Sequence, residues 1–272
     1  MIRTELQPDQ DCLRWDDHVS VYEAVFEPFS SAFASVAIAS LELKSGTRCL
    51  DVGCGSGAAA LLLASQGVQV DAIDASSGMV ARVRARAQQT GTSIQAHVMD
   101  GQALQFADAT FDAALSVFGA ILFPDAVAGL REMRRVVKPG GRVSVVTWTE
   151  PQNYELASEL RAAAAAIRPD QAPSALPAQL RFRERADFLL LHQQAGFDTV
   201  AMELQTAVLR APSSRWLAEH LAFAPGIAAI LDGFGDDRSR VLEAFVAGLE
   251  RTHGSGPVAL KGTAFVGTAT VK

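Results

Sequence analysis

The chain has 272 residues, of which 49% are hydrophobic and 20% are charged, and this composition predicts a globular fold and excludes disorder. Its formal net charge of −6 argues against a general attraction to nucleic acids or anionic membranes. Three irregularly spaced cysteines favour reduced thiols and a cytoplasmic location, and no apolar run reaches the roughly 20 residues of a membrane span.

Strands and helices are predicted to alternate over the first part of the chain, from about residue 47 to 148. The apolar runs that predict strands lie at 48–52, 68–73, 94–99, 111–117 and 142–148. The segments that predict helices lie between them, at 58–66, about 77–89 and 125–137. This alternation predicts a doubly wound α/β fold with a mainly parallel sheet.

The second half of the sequence is less regular. Helices are predicted at 154–167 and 185–194, and the five-alanine run in the first of them indicates plain helix propensity. Two late strands are predicted at 199–210 and 258–271. Between them lies a helical stretch, 214–251, that is broken at Pro225.

A glycine-rich loop is the most informative feature of the sequence. Residues 50–57 read Leu-Asp-Val-Gly-Cys-Gly-Ser-Gly, between a predicted strand and a predicted helix. Gly53, Gly55 and Gly57 allow positive φ angles and let a ligand approach the backbone, as in nucleotide-binding folds. Gly53, Gly55 and Ala58 also satisfy the dinucleotide fingerprint, so the loop alone leaves NAD as a candidate ligand.

The residues around this loop favour a cationic adenosine compound. Ala58 follows Gly57 where a phosphate-binding P-loop requires lysine. Asp51 precedes the glycines and would repel a pyrophosphate, at a cost on the order of a few kcal/mol in a partly buried site. A positively charged amino or sulfonium group tolerates this carboxylate.

Two further acids follow the next two predicted strands. Asp74 ends the second strand, where a carboxylate accepts hydrogen bonds from ribose hydroxyls or caps the following helix. Asp100 ends the third strand, where it accepts from an adenine amino group or forms a turn. These positions predict an adenosine site at one edge of the sheet.

At these residues the chain resembles class I S-adenosylmethionine-dependent methyltransferases, and within them the small-molecule group related to ubiquinone and menaquinone biosynthesis. The resemblance covers roughly residues 11–150. It rests on motifs in the family's order at 50–57, 74–79, 100–103, 111–125 and 138–141. The resemblance implies S-adenosyl-L-methionine as cofactor and S-adenosyl-L-homocysteine as product. The cofactor-binding residues that it and the loop predict are Tyr22, Asp51, Gly53, Cys54, Gly55, Asp74, Ala75, Met79, Asp100, Gly101 and Ser116.

The resemblance also implies the domain organisation. We expect one methyltransferase domain over 1–272, with a Rossmann-like seven-stranded sheet whose last strand is reversed. Within it we expect a cofactor cover at 1–46, which includes Trp15, and a cofactor-binding core at 47–150. A substrate and lid region with one late strand is expected at 151–257, and the last strand at 258–272.

The position of a catalytic base departs from the family pattern. Many relatives carry histidine in the loop after the fourth strand, where this chain has Ile121 and Leu122. His220 and His253, in or near the expected lid, are the remaining candidates for a base. Alternatively, the enzyme uses no strong base, which suits an acidic phenol or a carboxylate as acceptor.

The acceptor is expected to be a flat small molecule. The exit of the fourth strand, 116–119, lacks the Asn/Asp-Pro-Pro-aromatic motif of nucleic-acid amino methyltransferases, and no metal-binding acidic cluster is evident. The residues predicted to line the acceptor pocket are Phe118, Trp148, Asn153, Tyr154 and Trp216, with Phe223 also on the lid. The alternatives are an NAD-dependent oxidoreductase and a non-catalytic sensor of an adenosine ligand.

Overall fold

The structure, a computed structural model, describes residues 6–170, 177–221 and 224–272. The described residues form a seven-stranded sheet in the order β3-β2-β1-β4-β5-β7-β6. The strands are β1 (Arg48–Val52), β2 (Gln69–Asp74), β3 (Ile94–Val98), β4 (Phe111–Val117), β5 (Val137–Trp148), β6 (Val200–Ala211) and β7 (Val258–Thr270). The first five strands are parallel, and β7 runs antiparallel to both β5 and β6. The expected α/β fold with one reversed last strand is therefore confirmed.

The helices cover both faces of this sheet. They are α1 (Cys12–Asp16), α2 (Val19–Val25), α3 (Glu27–Ser40), α4 (Ala58–Ser65), α5 (Ser77–Thr90), α6 (Ala126–Val136), α7 (Glu155–Ile167), α8 (Arg185–Gln194), α9 (Ser214–Leu221), α10 (Pro225–Asp232) and α11 (Arg238–His253). Apolar side chains of α6 and α8 pack on one face, and those of α3, α4, α5, α7, α9 and α11 pack on the other. Burial of both faces explains why the central strands are almost continuously apolar.

The turn before β5 differs from the sequence prediction, which began the strand at residue 142. The strand begins at Val137, but its register against β4 jumps from Phe111–Val137 to Ala113–Arg142. The extra residues bulge out of the ladder, and Gly140, with φ +84°, donates its backbone N–H to the carbonyl of Val271. The turn around Gly140 is thus fixed by a hydrogen bond to the residue that follows β7. Local sequence alone would place this turn outside the sheet.

Candidate active site

A cavity of about 960 Å³ opens at the carboxyl ends of the parallel strands. Its floor includes Gly53 after β1, Asp74 at the end of β2, Phe118 after β4 and Trp148 at the end of β5. Its walls come from α7, α10 and the residues before α1. Open α/β sheets bind their ligands at this edge, and the volume lies at the upper end of ordinary ligand pockets.

Most of the predicted site residues meet in this cavity. The predicted cofactor residues in its lining are Tyr22, Gly53, Gly55, Asp74, Ala75, Met79 and Asp100. The predicted acceptor residues in its lining are Phe118, Trp148 and Tyr154, and Trp15 of the expected cofactor cover lines it too. Asn153, Trp216, His220 and His253 lie outside the lining, and Phe223 lies outside the described residues.

The glycine loop is held in shape by its neighbours. Gly53, Gly55 and Gly57 have φ angles of +67°, +53° and +94°, which only glycine adopts without strain. The N–H of Cys54 donates to the carbonyl of Ile73 at 2.9 Å, which fixes the loop to β2. A β-carbon on Gly55 would stand 3.5 Å from the Tyr22 ring, so α2 covers the loop closely. These contacts leave the loop open toward the cavity.

Asp74 stands at the centre of the predicted adenosine site. Its carboxylate accepts from the backbone N–H groups of Gly55 and Ser76, each at 2.9 Å. It does not cap α5, because Ser76 accepts from the Met79 N–H and Asp16 accepts from the Gly78 N–H. Burial raises the pKa of Asp74. The geometry therefore leaves its carboxylate facing the cavity, where a ligand's hydroxyl groups can reach it.

Asp51 lies just behind the glycine loop. It is 1% exposed, and its Oδ2 atom has no hydrogen-bond partner among the described residues. It lines a much smaller cavity, together with Cys54, and this cavity shares Tyr22 and Gly53 with the large one. Burial, with a smaller contribution from the charge of Asp74, raises the pKa of Asp51 to about 7. A buried carboxyl group without a positive charge beside it favours its neutral form. A cation that binds next to it stabilises the ionised carboxylate.

Two predicted contact residues have structural roles instead. Ser116 is fully buried, donates to the Val52 carbonyl at 2.6 Å and accepts from the Ala120 N–H at 2.8 Å, so it links the ends of β1 and β4. Gly101 leaves room for an aromatic ring, since a β-carbon there would lie 2.4 Å from Cζ of Phe123. Neither residue lines the cavity.

Aromatic rings form the end of the cavity beyond the glycine loop. The ring of Phe118 stacks on Trp148 with centroids 3.9 Å apart, and Trp148 stacks on Tyr154 at 4.9 Å. Phe118 has φ +61°, an unfavourable conformation for a phenylalanine that places its ring in the stack. Burial raises the pKa of Tyr154, so this phenol stays protonated and can donate a hydrogen bond. The surface suits a flat ligand.

Neither of the two predicted histidine bases, His220 and His253, lines the cavity. The ring of His220 stacks on Trp216 at 4.2 Å, and its Nδ1 lies 2.8 Å from the Trp216 carbonyl oxygen. His253 is the last residue of α11 and is half-exposed. The helices α9 and α11 bury their apolar residues in the core, and neither histidine lines the cavity. The titratable residues in the described lining are Asp9, Cys12, Tyr22, Asp74, Asp100, Tyr154, Arg161 and Arg168.

The N-terminal cover is joined to the glycine loop by a polar network that the sequence analysis missed. Glu27 of α3 is buried and accepts from the Ser56 hydroxyl and, at 2.7 Å, from the guanidinium of Arg86. Arg86 also donates to the Ser56 carbonyl at 3.0 Å. Glu27 and Arg86 are 59 positions apart in the sequence, and only the tertiary structure shows that they pair.

The side chains that form the helical walls of the cavity were not predicted individually, although the expected substrate and lid region at 151–257 contains both α7 and α10. The alanine-rich α7 lines it with Leu156, Leu160 and Ala164, and α10 lines it with Ile227 and Ile230. No local pattern distinguishes such a face from an ordinary buried helix face. Among the described residues, no helix is long and apolar enough to cross a membrane, and no three His, Cys, Asp or Glu side chains are grouped so that they could hold a metal ion.

Comparison with known proteins matches the central part of the chain to one family. Residues 49–141 match a family described as a methyltransferase domain. Residues 49–141 therefore form a methyltransferase domain. The matched residues contain the glycine loop, Asp74 and Asp100, and the strand order agrees with the fold of class I S-adenosylmethionine-dependent methyltransferases. S-adenosyl-L-methionine is the cofactor of this family.

Similar sequences occur in bacterial proteins. An uncharacterized protein of Mycobacterium tuberculosis is 33% identical over 156 residues, which are 57% of this chain and 57% of that protein. A demethylmenaquinone methyltransferase of Corynebacterium kroppenstedtii is 40% identical over 111 residues, which are 41% of this chain and 46% of that enzyme. The chain thus spans about half the length of the curated relatives that it matches.

A solved structure extends the likeness over most of the chain. It is the phosphoethanolamine N-methyltransferase 2 of Haemonchus contortus, in complex with phosphomonomethylethanolamine and S-adenosylhomocysteine. The TM-score is 0.58 at 17% identity, over 94% of this chain and 58% of that one. At this identity the likeness shows the fold.

Proposed function

We propose that this protein transfers a methyl group from S-adenosylmethionine to a small, flat acceptor. The proposal rests above all on the continuity of one cavity, which runs from the glycine loop and Asp74 to the stack of Phe118, Trp148 and Tyr154. One end offers carboxylates to a cationic adenosine compound, and the other offers aromatic faces to a planar molecule. The methyltransferase domain at 49–141 supports the same reaction.

The residues present fit the cofactor. The orphaned buried oxygen of Asp51 and the raised pKa of its carboxyl suit a cationic ligand, and the glycine loop leaves space against the backbone. Asp74 would hold the ribose hydroxyls, and Asp100 the adenine end, where its carboxylate already accepts from Gln102. When bound, S-adenosylmethionine supplies an electrophilic methyl group on a sulfonium centre.

This chain's own contribution to the reaction is mainly alignment. Phe118 and Trp148 orient a flat acceptor, and the covering helices exclude water from the buried end of the cavity. Tyr154 donates a hydrogen bond to an acceptor oxygen, because its pKa is raised by burial and the phenol stays protonated. The described lining holds no histidine or lysine as proton acceptor, which favours an acceptor that is already ionised, such as an acidic phenol.

Calorimetry with S-adenosylhomocysteine and with NAD tests the cofactor half of this proposal. We expect wild type to bind S-adenosylhomocysteine and not NAD, and Asp74→Ala to bind it at least about tenfold more weakly, since charged hydrogen bonds are lost. Asp74 also holds Gly55 and Ser76, so thermal unfolding of unliganded Asp74→Ala measures the structural loss separately. Asp198→Ala is the control, because Asp198 lies on the surface beside Lys272. Binding of NAD instead of S-adenosylhomocysteine would indicate an oxidoreductase.

Turnover is tested by incubating the protein with S-adenosylmethionine and a panel of phenols, naphthols and quinols. Formation of S-adenosylhomocysteine that depends on the added acceptor supports transfer. Tight cofactor binding without any such turnover would favour the alternative of a non-catalytic sensor. Trp148→Ala is expected to lose acceptor-dependent turnover and retain S-adenosylhomocysteine binding, because the ring lies at the aromatic end of the cavity.

A further inference from the structure

One face of α7 forms a continuous wall of the cavity. The lining residues Tyr154, Ser158, Arg161, Ala165 and Arg168 recur every three or four positions, which is the spacing of a single helical face. The face starts at the aromatic stack, where Tyr154 also makes a β-bridge with Gly262 of β7. It ends at Arg168 beside α10. The helix therefore runs along the cavity from the sheet edge outward.

Small side chains keep this wall open. Ala157, Ala164 and Ala165 lie in the lining between the larger residues. Part of the alanine run therefore does more than favour a helix, because longer side chains at these positions would fill the space beside Arg161. Between Tyr154 and Arg161 the wall is mainly apolar, and its one polar side chain there, Ser158, donates its hydroxyl to the Pro151 carbonyl at 3.1 Å.

The two arginines on this face differ in their contacts. Arg168 donates to Asp237 at 2.9 Å and to the Phe234 carbonyl at 2.7 Å, so its guanidinium is engaged in holding the structure. Arg161 is exposed at the cavity wall and has no hydrogen bond or ion pair within the part of the chain that the structure describes. The lining carboxylate Asp9 accepts from the Gln179 N–H at 2.9 Å through Oδ2, its buried Oδ1 has no partner among the described residues, and it forms no ion pair with Arg161. Arg161 thus adds to the lining a positive charge that no described residue pairs with.

We propose that the acceptor carries a carboxylate group that Arg161 binds, separated from the flat ring by an apolar spacer. This rests on the proposed methyl transfer and adds the substrate class. Tyr154 and Arg161 are seven positions apart in the sequence, which places them about 10 Å apart along a helix axis. Guanidinium groups bind carboxylates through paired charge-assisted hydrogen bonds, which gives both affinity and orientation. The ring would then lie at the sheet edge and the carboxylate at the outer part of α7.

Matched pairs of simple probes test this inference in the intact protein. Phenylacetate, 4-phenylbutanoate and 8-phenyloctanoate are titrated against their uncharged carboxamides in the presence of saturating S-adenosylhomocysteine. We expect wild type to prefer the carboxylate at least about tenfold for one of the longer pairs, and little for phenylacetate. Arg161→Gln should abolish the preference, and Arg161→Lys should retain part of it. Arg185→Gln, which alters an exposed arginine outside the lining, should change nothing.

Two results would overturn the inference: no carboxylate preference in wild type, whether because the pairs bind equally or because none binds, or an unchanged preference in Arg161→Gln. The affinity for S-adenosylhomocysteine is measured in every variant and should stay within about twofold of wild type, since Arg161 lies away from the glycine loop. Loss of S-adenosylhomocysteine binding in wild type itself would instead contradict the proposed function. The two failures are therefore distinguishable.

Discussion

Gly53 and Gly119 meet backbone to backbone: a β-carbon on either residue would lie 2.8 Å from the Cα of the other. The glycine loop after β1 and the loop that follows β4 are thus in direct contact beneath the cavity. Ser116 ties the same two segments together by hydrogen bonds. The shape of the cofactor site therefore depends on a contact between segments more than sixty residues apart.

Gly119→Ala should disturb the cofactor site without straining its own backbone. Gly119 has φ −79°, which alanine adopts readily, so the added methyl group acts by pushing against the backbone of Gly53 and Val52. We expect the free energy of unfolding to fall by about 1–3 kcal/mol, measured by urea unfolding. S-adenosylhomocysteine affinity should fall at least about tenfold because the loop is displaced. Gly256→Ala is the control, because a β-carbon there meets nothing within 4 Å. Unchanged affinity in Gly119→Ala would show that the loop contact is not needed.

The raised pKa of Asp51, about 7, predicts a pH dependence of stability. An unfolded aspartate has a pKa near 3.9, so between about pH 4 and pH 7 the folded protein binds more protons at this site than the unfolded chain. Stability of the unliganded protein should therefore decrease as the pH rises through this window, by on the order of 1–4 kcal/mol from this group. Urea unfolding of wild type and Asp51→Asn at pH 4.5, 6 and 8 isolates the effect, which should be much smaller in the variant. Parallel pH profiles for the two proteins would contradict the raised pKa.

Replacing Phe118 by glycine should destabilise the protein less than replacing it by alanine. Its φ of +61° strains any side chain, whereas glycine adopts it freely. Phe118→Ala loses the stacking with Trp148 and keeps the strain, so it should destabilise the protein more than Phe118→Gly, by about 0.5–1 kcal/mol. Thermal or urea unfolding of both variants measures the difference. An equal or larger loss in Phe118→Gly would show that the strain is not significant.

Glu27→Gln should loosen the N-terminal cover. The substitution removes the charge that accepts from Arg86 and Ser56 in a buried site, and we expect it to lower the free energy of unfolding by about 1–3 kcal/mol. Cofactor affinity should fall too, since Ser56 belongs to the glycine loop. Glu42→Gln is the matched control, because Glu42 pairs with Arg142 at an exposed site and should contribute less than about 1 kcal/mol. Urea unfolding and calorimetry with S-adenosylhomocysteine measure both effects.

The sequence by itself determined the sheet and the edge at which the acids of the proposed adenosine site meet. Alternating apolar segments specify parallel strands, and parallel strands bring their carboxyl ends to one edge, so Asp74 and Asp100 had to come together whatever the rest of the chain did. The glycine loop after β1 could also be predicted from the sequence, because positive φ angles are a requirement of the local backbone. The burial that raises the pKa of Asp51 could not be predicted from the sequence, because it depends on the tertiary packing around the residue.

Only the tertiary structure decided which helices complete the cavity. His220 and His253 are chemically suited to catalysis, but their helices pack so that neither residue lines the cavity, and Trp216 is stacked against His220 instead. The alanines of α7, which indicate no more than a helix in sequence, form the cavity wall and leave Arg161 facing it. Helical periodicity fixes which residues share a face, but the direction of that face depends on contacts with segments far along the chain. The methyl donor was therefore predictable from local pattern, whereas the acceptor end depends on long-range packing.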